Sequence, residues 1–143
     1  ALAHTLEDLY LTQGQDPRPI LKMTMAAGNF SDVYLGLFNG TMIDGANWRA
    51  AADYDPRTRP WYRRAMEEQK LTLTRPFMDA GFWKMVIAVV VPLVHNNQVV
   101  GVLSANIILD TLQASVMDLR IGRYGYALLL TARAPYWFTR TKA

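Results

Sequence analysis

The sequence predicts an α+β fold, an antiparallel β-sheet flanked by helices, with a further helix at the N-terminus. Two apolar segments, Lys84 to Leu93 and Val99 to Ile108, flank the polar turn His95-Asn96-Asn97-Gln98, as two long antiparallel strands would. A second strand pair is signalled by Asn39-Gly40, the strongest short hairpin signal in the chain, between Asp32–Phe38 and Met42-Ile43. Strands and helices do not alternate regularly, which argues against a doubly wound parallel sheet.

The elements follow in chain order. His4 to Thr12 carries Leu6, Leu9 and Tyr10 at helical spacing. Asp16 precedes Pro17 and Pro19, an N-cap before prolines that a first turn tolerates, and Ile20, Met23 and Ala27 predict the buried stripe of a short helix ending near Gly28. Val33, Tyr34, Leu35 and Leu37 give the next segment strand character. Asn47 to Thr58 reads as an irregular connection with a turn at Asp55-Pro56. The helix Pro60 to Gln69 then displays Arg63 with Glu67 and Arg64 with Glu68, i,i+4 pairs of a solvated face. Leu71 to Met78 is strand-like, and Val86 to Val91 is apolar on both faces, as in a strand covered on both sides. Leu109, Leu112, Val116 and Leu119 predict one buried stripe of a helix, Tyr124 to Leu130 a last strand, and Thr131 to Ala143 carries no clear signal.

A length of 143 residues is one domain's worth, and 51% hydrophobic against 19% charged residues excludes disorder and low complexity. The absence of cysteine removes disulfide scaffolds, thiolate metal sites and cysteine nucleophiles. The longest apolar run, Met85 to Val94, is ten residues, half of the roughly 20 that a membrane helix needs. The chain opens at Ala1 without a signal-peptide pattern and reads as a fragment of a longer protein. A net charge of +3 is a weak bias. Arg57, Arg59, Arg63 and Arg64 cluster, but no basic stripe interleaved with aromatics extends from them, so no nucleic-acid partner is expected.

Enzymatic signatures are scarce. There is no GxSxG, no glycine-rich phosphate loop, and no carboxylate at ligand spacing from His4 or His95, so neither a catalytic residue nor a metal nor a cofactor is expected. Asp53 and Asp55 lie in a loop where aspartate ordinarily caps and turns. No base, nucleophile and oxyanion donor can be named together among Asp53, Asp55 and Asp79, and the chain is read as non-enzymatic. One constellation stands out: Tyr54, Asp55, Pro56, Arg57, Arg59, Pro60, Trp61 and Tyr62 lie within nine residues. An arginine fork binds a carboxylate through two parallel hydrogen bonds, and tyrosine and tryptophan add donors and an apolar wall. The plainer alternative makes Trp61 and Tyr62 core aromatics and pairs Arg59 with an acid.

The run Tyr54 to Tyr62, then Arg75-Pro76-Phe77-Met78-Asp79, Val86 to Pro92, Val99 to Leu103 and Gly122 to Leu129 resembles the Cache family of bacterial extracytoplasmic sensor domains. The likeness spans roughly residues 20 to 130, is specific in the DPRxRPWY stretch, and is nearest to the membrane-distal module of double Cache domains. It implies a PAS-like fold and a ligand-sensing module of a membrane-anchored chemoreceptor, histidine kinase or diguanylate cyclase, on the periplasmic or extracellular side. Residues 1–15 would be the stub of a signalling helix through which a homodimer forms, and residues 131–143 remain unassigned.

The resemblance also implies a site. In the family's amino-acid sensors, the ligand carboxylate is held by residues matching Tyr54, Arg59, Trp61 and Tyr62, and its amino group by aspartates at the positions of Asp79 and Asn106. Asn106 departs from that pattern: an amide oxygen accepts from an ammonium but supplies no charge. Phe77, Phe82, Trp83 and Met85 are expected to set the pocket volume. The expected ligand is a small carboxylate-bearing molecule, foremost an amino acid. The alternatives are a ligand-free interaction or dimerisation module, or a sensor of amines, purines or simple carboxylates.

Overall fold

In the computed structural model the described residues are 2–118, and they form a six-stranded antiparallel sheet with helices packed on both faces. Strands β1 (Asp32–Leu37), β2 (Met42–Asp44), β3 (Thr72–Leu73), β4 (Phe77–Met78), β5 (Met85–His95) and β6 (Gln98–Ile108) are arranged β2-β1-β6-β5-β3, with β4 also paired to β5. The α+β reading from sequence holds. Helix α1 (Leu2–Leu6) runs into a π-helical segment Glu7–Thr12, and α2 (Arg18–Gly28), a 3-10 turn Pro56–Thr58, α3 (Pro60–Glu68) and α4 (Leu109–Met117) complete the described elements.

Long strands β5 and β6 meet at the two-residue turn Asn96-Asn97, both residues in the left-handed region at φ 51° and 61°, which asparagine tolerates better than other non-glycine residues. The Asn39-Gly40 hairpin is of another kind. The Leu37 N–H donates to Thr41 O at 2.8 Å and the Gly40 N–H to Leu37 O at 2.9 Å, closing a three-residue loop with Gly40 at φ 89°. The resulting register sets Tyr34 opposite Asp44. A two-residue loop would shift β2 by one position and turn Asp44 to the other face.

One face of the sheet carries Val33, Leu35, Leu37, Ile43, Leu93 and Leu103, which pack with Leu6 and Leu21 of the N-terminal helices. The other carries Tyr34, Val86, Ala88, Val90 and Val102, covered by Trp61, Tyr62 and Ala65 of α3. Strand β5 is thereby buried on both sides, as its unbroken apolar run predicts.

Several sequence expectations need correction or limits. Helix α2 buries Leu21, whereas Met23 of the expected stripe is 65% exposed; the apolar face is rotated from the Ile20-Met23-Ala27 line. The strand expected over Leu71 to Met78 is split into β3 and β4, because Pro76 has no N–H for the ladder and Thr74 instead bonds Ala88 through both its N–H and its hydroxyl. On α3 the expected Arg64–Glu68 pair forms at 2.7 Å, whereas Glu67 lies 4.0 Å from Arg64 and no ion pair joins it to Arg63 among the described residues. Leu109 and Leu112 of α4 pack with Ile87, while Leu119, the strand expected at Tyr124 to Leu130 and the segment Thr131 to Ala143 lie outside the described residues.

Candidate functional site

Strand alternation and register assemble the floor of the site on the α3 face. Asp32 stands opposite Asn106, and Tyr34 stands between Asp44 on β2 and Ser104 on β6. All five side chains therefore project from one side of the sheet. The Tyr34 hydroxyl donates to Asn106 Oδ1 at 2.9 Å, and burial pushes its phenol well above the ordinary value.

The wall comes from the segment that leads into α3. Asp55 accepts from the Arg57 N–H at 2.9 Å and pairs with its guanidinium at 2.8 Å, capping the 3-10 turn Pro56–Thr58. Asp55 is thus a turn residue, as its place in the loop suggested, and Asp53 is exposed. Past this turn, Arg59 lies over the Tyr54 ring at 5.8 Å from its centroid and donates from Nη2 to Met78 O at 3.1 Å. Its Nε is buried and has no hydrogen-bond partner, and among the described residues no carboxylate forms an ion pair with it. Burial raises the Tyr54 phenol, opposed by a hydrogen bond with Trp61 and by the Arg59 charge. Trp61 packs edge-on against Tyr34 at 4.9 Å, which holds the indole at the base of the wall.

Facing Arg59 is the turn that follows β4. Asp79 Oδ1 accepts from the Gly81 and Phe82 N–H groups, each at 2.8 Å, and Oδ2 accepts from Asn106 Nδ2 at 2.9 Å. Asn106 is therefore fixed in orientation, its oxygen taken by Tyr34 and its amide given to Asp79. No lysine or arginine among the described residues pairs with Asp79.

Two further carboxyl groups escaped the reading from sequence. Asp32 and Asp44 are each only 3% exposed, and Asp32 Oδ1 and Asp44 Oδ2 receive no hydrogen bond from any group outside the pair. Burial first, then the neighbouring Asp44 charge, pushes Asp32 up to about 8. Asp44 is also raised by burial, opposed by hydrogen bonds with Asp32 and with the backbone of Trp48 and Ala46. The sequence carries little signal for them, since Asp32 opens β1 and Asp44 closes β2, strand ends where aspartate is ordinary.

These groups enclose a cavity of about 10 Å³, lined by Asp32, Tyr34, Met42, Asp44, Trp48, Tyr54, Arg59, Trp61, Phe77, Asp79, Ala80 and Gly81. That volume holds roughly one water molecule. Trp48 roofs the space, packing edge-on against Tyr54 at 5.1 Å. Of the residues singled out from sequence, Tyr54, Arg59, Trp61 and Asp79 line it, and Asn106 touches it through Tyr34 and Asp79. Tyr62 does not line it; its ring is buried in the core beneath α3. Phe77 contributes to the lining, whereas Phe82 and Trp83 are 48% and 78% exposed. Met85 packs with Ile87 and Leu109 on the opposite face.

A family model described as methyl-accepting chemotaxis protein-like, first PDC sensor domain, matches residues 21–114. The chain is 31% identical over 131 residues to the methyl-accepting chemotaxis protein PctB of Pseudomonas aeruginosa, covering 88% of this chain and 21% of that protein. It is 35% identical over 104 residues to PscA of Pseudomonas syringae, covering 73% of this chain and 16% of that protein. It thus spans about a fifth or less of the length of these relatives. The solved ligand-binding domain of PctB in complex with L-Arg superimposes with a TM-score of 0.76 at 30% identity, over 99% of this chain and 59% of that one. The ligand-binding domain of Mlp24 with asparagine superimposes with a TM-score of 0.67 at 30% identity, over 82% and 50% of the respective chains.

Proposed function

The chain belongs to the family of methyl-accepting chemotaxis protein-like first PDC sensor domains, and from that membership we propose that it is the extracytoplasmic ligand-sensing module of a bacterial transmembrane chemoreceptor, binding a free amino acid. The observation that carries this reading is a matched pair of unsatisfied charges across one cavity. Arg59 presents a buried Nε with no acceptor, and Asp79 presents a carboxylate held by three neutral donors with no cation. A zwitterion supplies both missing partners, its carboxylate to Arg59 and its ammonium to Asp79.

Tyr54 and Trp61 serve the carboxylate end beside Arg59, and Asn106 serves the ammonium end by fixing Asp79 through its amide N–H, its oxygen being held by Tyr34. Tyr62 acts from behind, packed against Trp61 at 5.6 Å between ring centroids. The module works by binding and not by catalysis. It signals across the membrane as a homodimer through the signalling-helix stub at residues 1–15. No helix among the described residues is long and apolar enough to cross a membrane.

A cavity of about 10 Å³ is too small for an amino acid, so admission of the ligand requires the irregular 45–55 connection and the 79–84 turn to part. Thermal unfolding of the chain against the proteinogenic amino acids tests the reading. At 100 times its dissociation constant a ligand adds about 2.7 kcal/mol, which raises the melting temperature by several degrees. We expect such a rise for the wild type and its loss in Arg59→Ala. A well-folded wild type that no amino acid stabilises would favour the ligand-free module instead.

A further inference from the structure

We propose that the pocket selects amino acids bearing a second cationic group, held by the Asp32–Asp44 carboxyl pair while Asp79 takes the α-ammonium. This rests on the amino-acid reading above and deepens it, since the relatives' solved ligands include both L-Arg and asparagine and leave the ligand charge open.

A neutral zwitterion satisfies Arg59 and Asp79 and nothing else. The same cavity is lined by two more carboxyl groups, Asp32 and Asp44, each 3% exposed and each with one oxygen that no donor outside the pair reaches. Among the described residues the ion pairs join arginines to Asp16, Asp55, Glu67 and Glu68, and none reaches this pair. Burial and mutual repulsion raise both carboxyl groups, so the pair favours holding a proton between them, and no arginine or lysine side chain among the described residues completes it. A buried carboxylate is costly unless a cation completes it. Among the described residues no group of three His, Cys, Asp or Glu side chains is arranged for a metal ion.

Placement agrees with this chemistry. Asp32 stands directly opposite Asn106, whose amide is bonded to Asp79 at 2.9 Å, so the pair lies one cross-strand step beyond the α-ammonium position. A side chain that ends in an ammonium or guanidinium spans such a step. Trp48 and Tyr34 flank the pair, and aromatic faces accept a cation.

Isothermal titration of the wild-type chain near pH 7 with matched ligands decides the matter: L-lysine against L-norleucine, and L-arginine against L-citrulline. We expect each cationic member to bind about tenfold tighter or more than its neutral partner, the worth of one charge-assisted hydrogen bond. Binding of lysine is also expected to release a proton, read as a dependence of the heat on buffer ionisation, as the pair gives up its shared proton to the incoming cation. In Asp32→Asn the lysine-to-norleucine affinity ratio should fall towards one. Equal affinity for charged and neutral partners in the wild type overturns the inference and leaves the amino-acid reading standing, with Asp32 then merely supplying near the α-ammonium the charge that Asn106 lacks. Failure of every amino acid to bind removes both.

Discussion

At the scale of single residues, the site is defined by polar atoms that the protein does not satisfy. Arg59 Nε and Ser104 Oγ are buried without partners, and Asp32 Oδ1 and Asp44 Oδ2 without any outside their own pair, while nearby Asp79, Asn106 and Tyr34 are hydrogen-bonded. Such orphans are rare in a folded protein and mark places where something else completes the bonding. The raised Asp32 carboxyl has its own consequence for stability. Lifted from 3.8 to about 8, it keeps in the folded state a proton that the unfolded chain gives up. Its contribution is fully present below about pH 4 and is lost as pH rises through 8, since the folded state binds the extra proton across that window. The melting temperature of the unliganded chain should therefore fall between pH 5 and pH 8, and Asp32→Asn, which cannot ionise, should flatten that decline. The effect is at most about 1.4 kcal/mol per pH unit, reduced by screening. An unchanged slope in the variant would place the proton elsewhere.

At the scale of elements, close packing of α3 against the sheet fixes the wall of the site. Gly36 of β1 lies beneath that helix, and a Cβ there would stand 2.6 Å from the Trp61 ring and 2.9 Å from Pro56 Cβ. Gly36→Ala should lower stability by about 1–3 kcal/mol through overpacking, read as a lower urea midpoint at constant m-value. Because Trp61 is the atom set that must move, amino-acid binding should weaken in the same variant. The turn bearing Asp79 shows strain of another sort: Trp83 sits at φ 53°, a conformation unfavourable for a bulky residue, with its indole largely in solvent.

At the scale of the whole molecule, the ligand site and the N-terminal helix lie on opposite faces of one sheet. Leu6 is buried among Leu21, Leu93 and Leu103, and the Val94 N–H donates to Glu7 Oε1 at 2.9 Å, tying the helix to the far end of β5. Leu6→Ala should cost about 2–5 kcal/mol in denaturant unfolding, as expected for a leucine removed from a filled core. A loss below 1 kcal/mol would mean that the helix is not docked on the sheet in solution. A ligand can bias this helix only through a difference in affinity between two arrangements of the module.

Much of the fold was legible because local rules suffice for it. Apolar runs give β5 and β6, Asn96-Asn97 gives their turn, and Pro60 starts α3, each through the conformational preferences of a few adjacent residues. The Tyr54-to-Tyr62 stretch carried the family and the arginine-aromatic wall for the same reason, since its residues are neighbours in sequence. What only the tertiary structure decided are the features that depend on distant segments meeting. The rotation of α2 towards Leu21 follows from the face the sheet offers, and the break at Pro76 from its failure to donate to β5. The Asp32–Asp44 pair exists because a three-residue loop, not a two-residue one, sets β2 in the register that brings both carboxyl groups to the site face, where burial makes them unlike any aspartate read from the sequence.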